Sequence, residues 1–145
     1  MKKPFVFLGL VITAVVLAVP LAGCSGEVSF TTANLSDVHM ATSVDQDTMA
    51  PIETTTTYTP ESPIFYCTVR LANAPDDTEI KAEWIFLEGE LDVTDYVIYE
   101  DMITTGGEGY VVFSLQADTL WPRGDYRVIL YVDDKESQSI DFTVE

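Results

Sequence analysis

Ile64-Phe65-Tyr66-Cys67-Thr68-Val69-Arg70-Leu71 alternates without interruption. Successive side chains of a strand point to opposite faces, so Phe65, Cys67, Val69 and Leu71 share one face, and Tyr66, Thr68 and Arg70 the other. That is the pattern of a strand with one buried side. Asn73-Ala74-Pro75-Asp76-Asp77 follows and reads as a turn, because these residue types tolerate or preset turn backbone. Thr78–Leu87 alternates again, with Ile80, Ala82, Trp84 and Phe86 together. Tyr96–Thr104 is a further strand, and Gly106-Gly107-Glu108-Gly109 reads as a tight reversal. Tyr110–Leu115 then sets Val111, Phe113 and Leu115 on one side. Leu120-Trp121-Pro122-Arg123-Gly124-Asp125 is a corner, and Tyr126–Val132 and Ser139–Val144 form a hairpin about Asp133-Asp134-Lys135. Short strands at regular spacing with turn signals between them predict an all-β antiparallel sandwich.

Working back towards the start, the pattern loosens. Leu35–Asp47 reads as an edge strand. Met49–Pro63 contains the consecutive Thr54–Thr57 and is either linker or a second edge strand. Threonine favours strands and the prolines bracket the run, so the strand is preferred. Ser25–Asn34 is small and polar and reads as a tether, whose ten residues reach about 30 Å when extended. Before it, Lys2 and Lys3 precede the apolar run Phe5–Ala18, and small residues lead to Cys24. This is a charged n-region, an h-region and a cleavage site. The run is shorter than the ~20 residues a membrane-spanning helix needs.

Leu21-Ala22-Gly23-Cys24 resembles the lipobox of bacterial lipoproteins. The resemblance implies that residues 1–23 are removed as a signal peptide. It also implies that the Cys24 thiol carries a diacylglyceryl group, with its amine a second acylation point for a chain such as palmitate. The expected organisation is then 1–23 signal peptide, 24–34 lipidated cysteine and tether, and 35–145 sandwich, with 63–145 its most regular part. The expected location is extracytoplasmic, anchored to a bacterial membrane at the cell surface or in the periplasm.

Cleavage removes two of the seven basic residues and no acidic one. Arg70, Lys81, Arg123, Arg127 and Lys135 then face 24 acidic residues, for a net charge of −19. Nucleic-acid binding draws its affinity from neutralising phosphates, so that partner class is excluded. Anionic lipid heads also repel such a surface. The membrane is therefore a partner only through the lipid, and a protein or other envelope component is the expected second partner. The roughly 120 residues after the cut suit one domain with a single core.

Cys67, Trp84 and Tyr126 stand in the order that resembles an immunoglobulin-like or fibronectin type III-like sandwich. Cys67 lies on an early core strand, Trp84 faces inward on the next, and Tyr126 follows Leu120-x-Pro122-x-Gly124. The last resembles the tyrosine corner, whose hydroxyl ties down nearby backbone. Where disulfide-bearing members place the second cysteine, this chain has Val128. The resemblance therefore implies a sandwich without the inter-sheet disulfide, with apolar packing of Cys67, Trp84 and Val128 in its place. Pro63–Glu145 also resembles an Ig-like module of bacterial surface lipoproteins. Its marks are Ser62-Pro63-Ile64-Phe65, Lys81-Ala82-Glu83-Trp84, Trp121-Pro122-x-Gly124-x-Tyr126 and Phe142-Thr143-Val144. Trp121 is thereby a structural residue alongside the other three. This architecture hosts unrelated activities and carries no catalytic residues across.

Candidate chemistry is thin. His39 is the only histidine and has no G-x-S-x-G elbow to serve, so it reads as a surface residue. One histidine and one inward cysteine cannot assemble a zinc set. Acidic pairs abound: Asp45/Asp47, Asp76/Asp77, Asp92/Asp95, Glu100/Asp101 and Asp133/Asp134. Asp45, Asp47, Asp92 and Asp95 are the candidate calcium ligands, though no EF-hand spacing is present. Gly106-Gly107-x-Gly109 lacks the lysine and helix of a phosphate loop. Tyr66, Ile85, Ile129 and Tyr131 point away from the core and are expected on one sheet, shielded by the Thr-rich segment. The expected function is a non-enzymatic, cofactor-free binding or scaffolding module. The alternatives are a carboxylate-based envelope hydrolase and a calcium-dependent adhesion domain. Mass spectrometry of the N-terminus checks the anchor: a mature chain beginning at lipidated Cys24 is expected, with lipidation abolished in Cys24→Ser. An unmodified Cys24 removes the anchor.

Overall fold

The computed structural model describes residues 31–145. The expected signal segment 1–23 and Cys24 lie outside these residues, as does most of the expected tether. Thr31–Glu145 forms one compact unit. It contains seven strands: β1 (Asn34–Val44), β2 (Pro51–Thr54), β3 (Thr57–Tyr58), β4 (Ile64–Gly89), β5 (Tyr96–Gln116), β6 (Gly124–Val132) and β7 (Lys135–Val144). No helix among the described residues is long and apolar enough to cross a membrane.

The strands form one hydrogen-bonded sheet in the order β2-β1-β4-β6-β7-β3, with β5 on β4. It becomes a sandwich because β4 and β5 are long enough to serve both layers. The first half of β4 pairs with β1 and with the end of β5, Phe65 opposite Leu115 and Leu71 opposite Gly109. The second half pairs with the start of β5 and with β6, Trp84 lying between Tyr99 and Val128. Folding this ribbon over lays the two halves face to face. Strand β7 adds beyond β6, and β3 pairs with β7 in parallel, Thr57 opposite Thr143.

Two segments expected as turns are instead the bend of this ribbon. Asn73–Asp77 remains within β4 and Gly106–Gly109 within β5, and Ala74 pairs with Gly107. The expected reversal at Gly106 is therefore a crossing between layers. Inward residues are odd-numbered before the bend (Phe65, Cys67, Val69, Leu71) and even-numbered after it (Ile80, Ala82, Trp84, Phe86). Unbroken alternation would turn the second set outward. Left-handed backbone at Asn73 (φ 55°) and Asp77 (φ 63°), with shifts of pairing register around them, resets the parity. A Cβ on Gly106 would lie 2.9 Å from the Pro75 carbonyl oxygen, so glycine lets the two bends touch.

Other expectations match directly. Asp133 and Asp134 both take positive φ (46° and 66°), as a two-residue type I′ hairpin requires. The Tyr126 hydroxyl donates to the Pro122 carbonyl at 2.6 Å, which is the tyrosine corner. Trp121 is buried, and its indole donates to the Ser62 carbonyl at 2.7 Å, binding the corner to the entry of β4. Gly89 and Gly124 pair at the same end, where a Cβ on either would sit within 2.4 Å of backbone oxygen.

Cys67, Trp84 and Val128 are fully buried in one core cluster. Phe65 is its aromatic hub, with ring centroids 4.5 Å from Tyr58, 4.2 Å from Trp121 and 5.1 Å from Phe142. The Trp84 Nε1 has no acceptor among the described residues. An unpaired buried donor costs about 1–3 kcal/mol. Burying a ring of about 200 Å² returns roughly 5 kcal/mol at 25 cal/mol per Å², so burial wins.

In denaturant melts, Tyr126→Phe is expected to cost about 0.5–1.5 kcal/mol, for one lost hydrogen bond. Trp84→Ala is expected to cost about 3–5 kcal/mol. Melts that coincide with wild type would remove the corner and the indole, respectively, as supports of the fold.

Candidate functional site

The residues singled out in the sequence divide sharply by environment. Cys67 is a free thiol with no solvent exposure, and burial pushes its ionisation up to about 12. Reactive thiols sit in exposed electropositive surroundings that lower this value, so Cys67 has the character of a small apolar side chain. Burial and then the Glu90 charge raise Tyr126 to about 12. Tyr58 is likewise raised by burial, and its hydroxyl donates to the Ala41 carbonyl at 2.8 Å. That bond pins the Thr-rich segment to β1.

His39 is exposed, but on a strand, with Thr68 opposite it in the pairing. Asp45 Oδ1 accepts from the Asp47 and Thr48 amides at 2.8 Å each. These bonds hold its carboxyl below the usual range and spend the acceptor on a turn. Asp92 lines an open cleft of about 570 Å³ with Glu88 and Asp125. Among the described residues, no three His, Cys, Asp or Glu side chains are grouped to hold a metal ion. Asp133 Oδ1 accepts from the Glu79 amide at 3.0 Å, a structural use. Glu100 and Asp101 are neighbours on one strand and so face opposite sides of it.

The expected outward patch needs correction. Ile85, Ile129 and Tyr131 lie on the β4–β6 layer, whereas Tyr66 lies in the first half of β4, opposite Ala41 and Ser114 in the other layer. The parity reset at the bend makes numbering an unreliable guide to shared faces. Nor does the Thr-rich segment run across that patch. It closes the flank between β1 and β7: the Thr55 amide donates to Met40 oxygen at 3.0 Å, and Thr56 oxygen accepts from the Thr143 amide at 2.8 Å.

Sequence reading missed the surface the pairing builds. On the outer face, Glu83 stands between Glu100 and Ile129, and Lys81 between Met102 and Tyr131. Lys81 Nζ lies 4.4 Å from the Tyr131 ring centroid. Burial, then hydrogen bonding with Glu100 and its charge, raise the Glu83 carboxyl; Glu136 adds to the effect. Arg127 is already engaged, its Nε donating to Asp141 at 2.6 Å and Nη2 at 3.1 Å. Beside this acidic row runs β5, which pairs only with β4 among the described strands. It exposes Tyr96 (57%), Val97 (42%), Tyr99 (48%) and Met102 (54%). The loop before it exposes Leu91 and Val93. Leu91 also borders a 300 Å³ cleft with Leu120, Trp121 and Arg123.

No protein-family model and no curated protein matches the chain. Solved structures do resemble it. An immunoglobulin-like protein from Pseudomonas aeruginosa superposes with a TM-score of 0.52 at 14% identity, covering 78% of this chain and 96% of that one. A β-glucosidase from Listeria innocua, crystallised with gluconolactone, gives 0.50 at 12% identity, covering 80% of this chain. This chain spans only 16% of that enzyme's length. At such identities the likeness is one of fold. The fold is an immunoglobulin-like β-sandwich.

Native Cys67 should react with a thiol reagent far more slowly than denatured Cys67. Its effect on pH stability follows from the direction of its shift. Above the ordinary thiol value of 9.0 the unfolded chain releases a proton that the folded chain keeps until about 12. Stability therefore falls across that interval, by up to about 1.4 kcal/mol per pH unit for one group. Cys67→Val should cost less than about 1.5 kcal/mol at neutral pH and fall less steeply above pH 9. Equal slopes for both proteins would show that the buried thiol does not contribute.

Proposed function

We propose that this chain is a lipid-anchored, extracytoplasmic immunoglobulin-like module that binds or scaffolds envelope proteins and performs no catalysis itself. The observation that carries the reading is the exposure of Tyr96, Val97, Tyr99 and Met102 on a strand that pairs with β4 alone among the described strands, with Glu100 and Asp101 between them. Paired residues share a face, so Tyr96 and Tyr99 lie on the side of Phe86 and Trp84, and Val97 and Met102 on the side of Ile85 and Lys81. An edge strand that exposes apolar side chains on both faces offers a surface to another chain. The carboxylates of Glu83 and Glu100 lie side by side across neighbouring strands. An acid–base pair for glycoside hydrolysis instead flanks its bond from two sides.

The connection to Cys24 suits this role. Strand β1 begins beside Ala72, at the bend of the ribbon, and runs towards the opposite end. A lipid about ten residues upstream would hold the bend end nearest the membrane. The loops around Leu91 and Leu120 would then face outward.

Capture from detergent-solubilised envelope with the full chain tests the reading. A defined protein partner retained at physiological salt is the expected result. Recovery of no partner, together with hydrolysis of an envelope polymer by the purified chain, would replace binding with catalysis.

A further inference from the structure

We propose that the free edge of β5, from Tyr96 to Thr105, takes up an extended cationic polypeptide segment as an added strand. This rests on the binding-module reading and names the surface and the chemistry of its partner.

The two flanks of the sandwich are finished differently. On one side β2 and β3 add to β1 and β7, and Thr54–Tyr58 closes the seam between the layers. On the other side nothing among the described residues pairs with the outer edge of β5. A strand edge offers a row of unpaired amides and carbonyls, which another extended chain can satisfy. Here the edge also presents Tyr96, Val97, Tyr99 and Met102, all at least 42% exposed. An added strand gains main-chain hydrogen bonds and covers these side chains at the same time.

Charge selects the occupant. Glu100 stands on the edge strand with Glu83 beside it, and Lys81 is the cation of that face nearest them in the pairing. Asp101 projects to the opposite face of the same strand, and Asp92 and Asp95 precede it. A second copy is disfavoured. Joining two β5 edges antiparallel over their apolar residues would set the two Glu100 side chains diagonally across from one another. Like charges on adjacent strands destabilise pairing, and each chain is strongly acidic overall. Lysine or arginine alternating with apolar residues reverses that sign, and would also relieve the mutual repulsion of Glu83 and Glu100. Such complementarity raises the association rate and rejects acidic competitors.

The probe is a capped peptide of alternating lysine and valine, with a glutamate–valine counterpart and a lysine–valine version interrupted by proline. Binding to the full chain in detergent is measured by titration calorimetry and amide hydrogen exchange. The lysine peptide should bind, weaken as salt rises, and slow exchange at amides within Tyr96–Thr105. The glutamate and proline peptides should not bind. Glu100→Lys with Asp101→Lys, checked for an unchanged melting profile, should weaken the lysine peptide by about tenfold or more. Failure of the lysine peptide to bind, protection confined to other strands, or equal binding by the double variant overturns the proposal. If envelope capture still succeeds with the double variant, the edge assignment fails while the binding-module reading stands.

Discussion

Everything in this domain depends on one ribbon belonging to two layers. Strand β4 runs from Ile64 to Gly89 and keeps β5 beside it through the bend. The core closes only if both halves direct their apolar side chains into the same interior. Side-chain period two would defeat this, since a shift by one residue exchanges faces. The left-handed Asn73 and Asp77 resolve the conflict by resetting parity inside the bend. Phe65 and Cys67 before it, and Trp84 and Phe86 after it, then share one core.

The opposite end is held by a different means. There the tyrosine corner, the Trp121 indole bond and the Gly89–Gly124 contact gather several loops onto Phe65 and Tyr126. Glu90 and Arg123 add reciprocal bonds: the Glu90 amide donates to Arg123 oxygen, and the Arg123 amide to Glu90 Oε2, each at 2.8 Å. These bonds satisfy backbone groups that irregular loops would otherwise leave unpaired. A buried cysteine and valine occupy the place where some sandwiches have a disulfide, so cohesion there rests on packing.

Bonded ends and one closed flank leave β5 as the open side among the described residues. Strand β5 lies on the perimeter because it pairs with β4 alone among the described strands, and Tyr96 and Tyr99 are exposed there. Glu100 and Asp101 stand on the same strand, and charge on an edge strand disfavours pairing with a second acidic chain.

The sequence alone determined whatever depends on near neighbours. Alternation marked Cys67 and Trp84 as inward, Leu120-x-Pro122-x-Gly124 announced the corner at Tyr126, and Asp133-Asp134 announced the final hairpin. Each signal lies within a few residues of the feature it specifies. The N-terminal Cys24 motif is equally local and belongs to residues outside those described. Only the tertiary structure decided that Asn73–Asp77 and Gly106–Gly109 are bends of one ribbon. A turn signal reports that the backbone deviates; whether the next strand returns beside the last depends on its partners. Pairing likewise placed Glu100 against Glu83, moved Tyr66 to the other layer and left the β5 edge open. Those outcomes follow from register between segments far apart in the chain, which side-chain alternation within one segment does not encode.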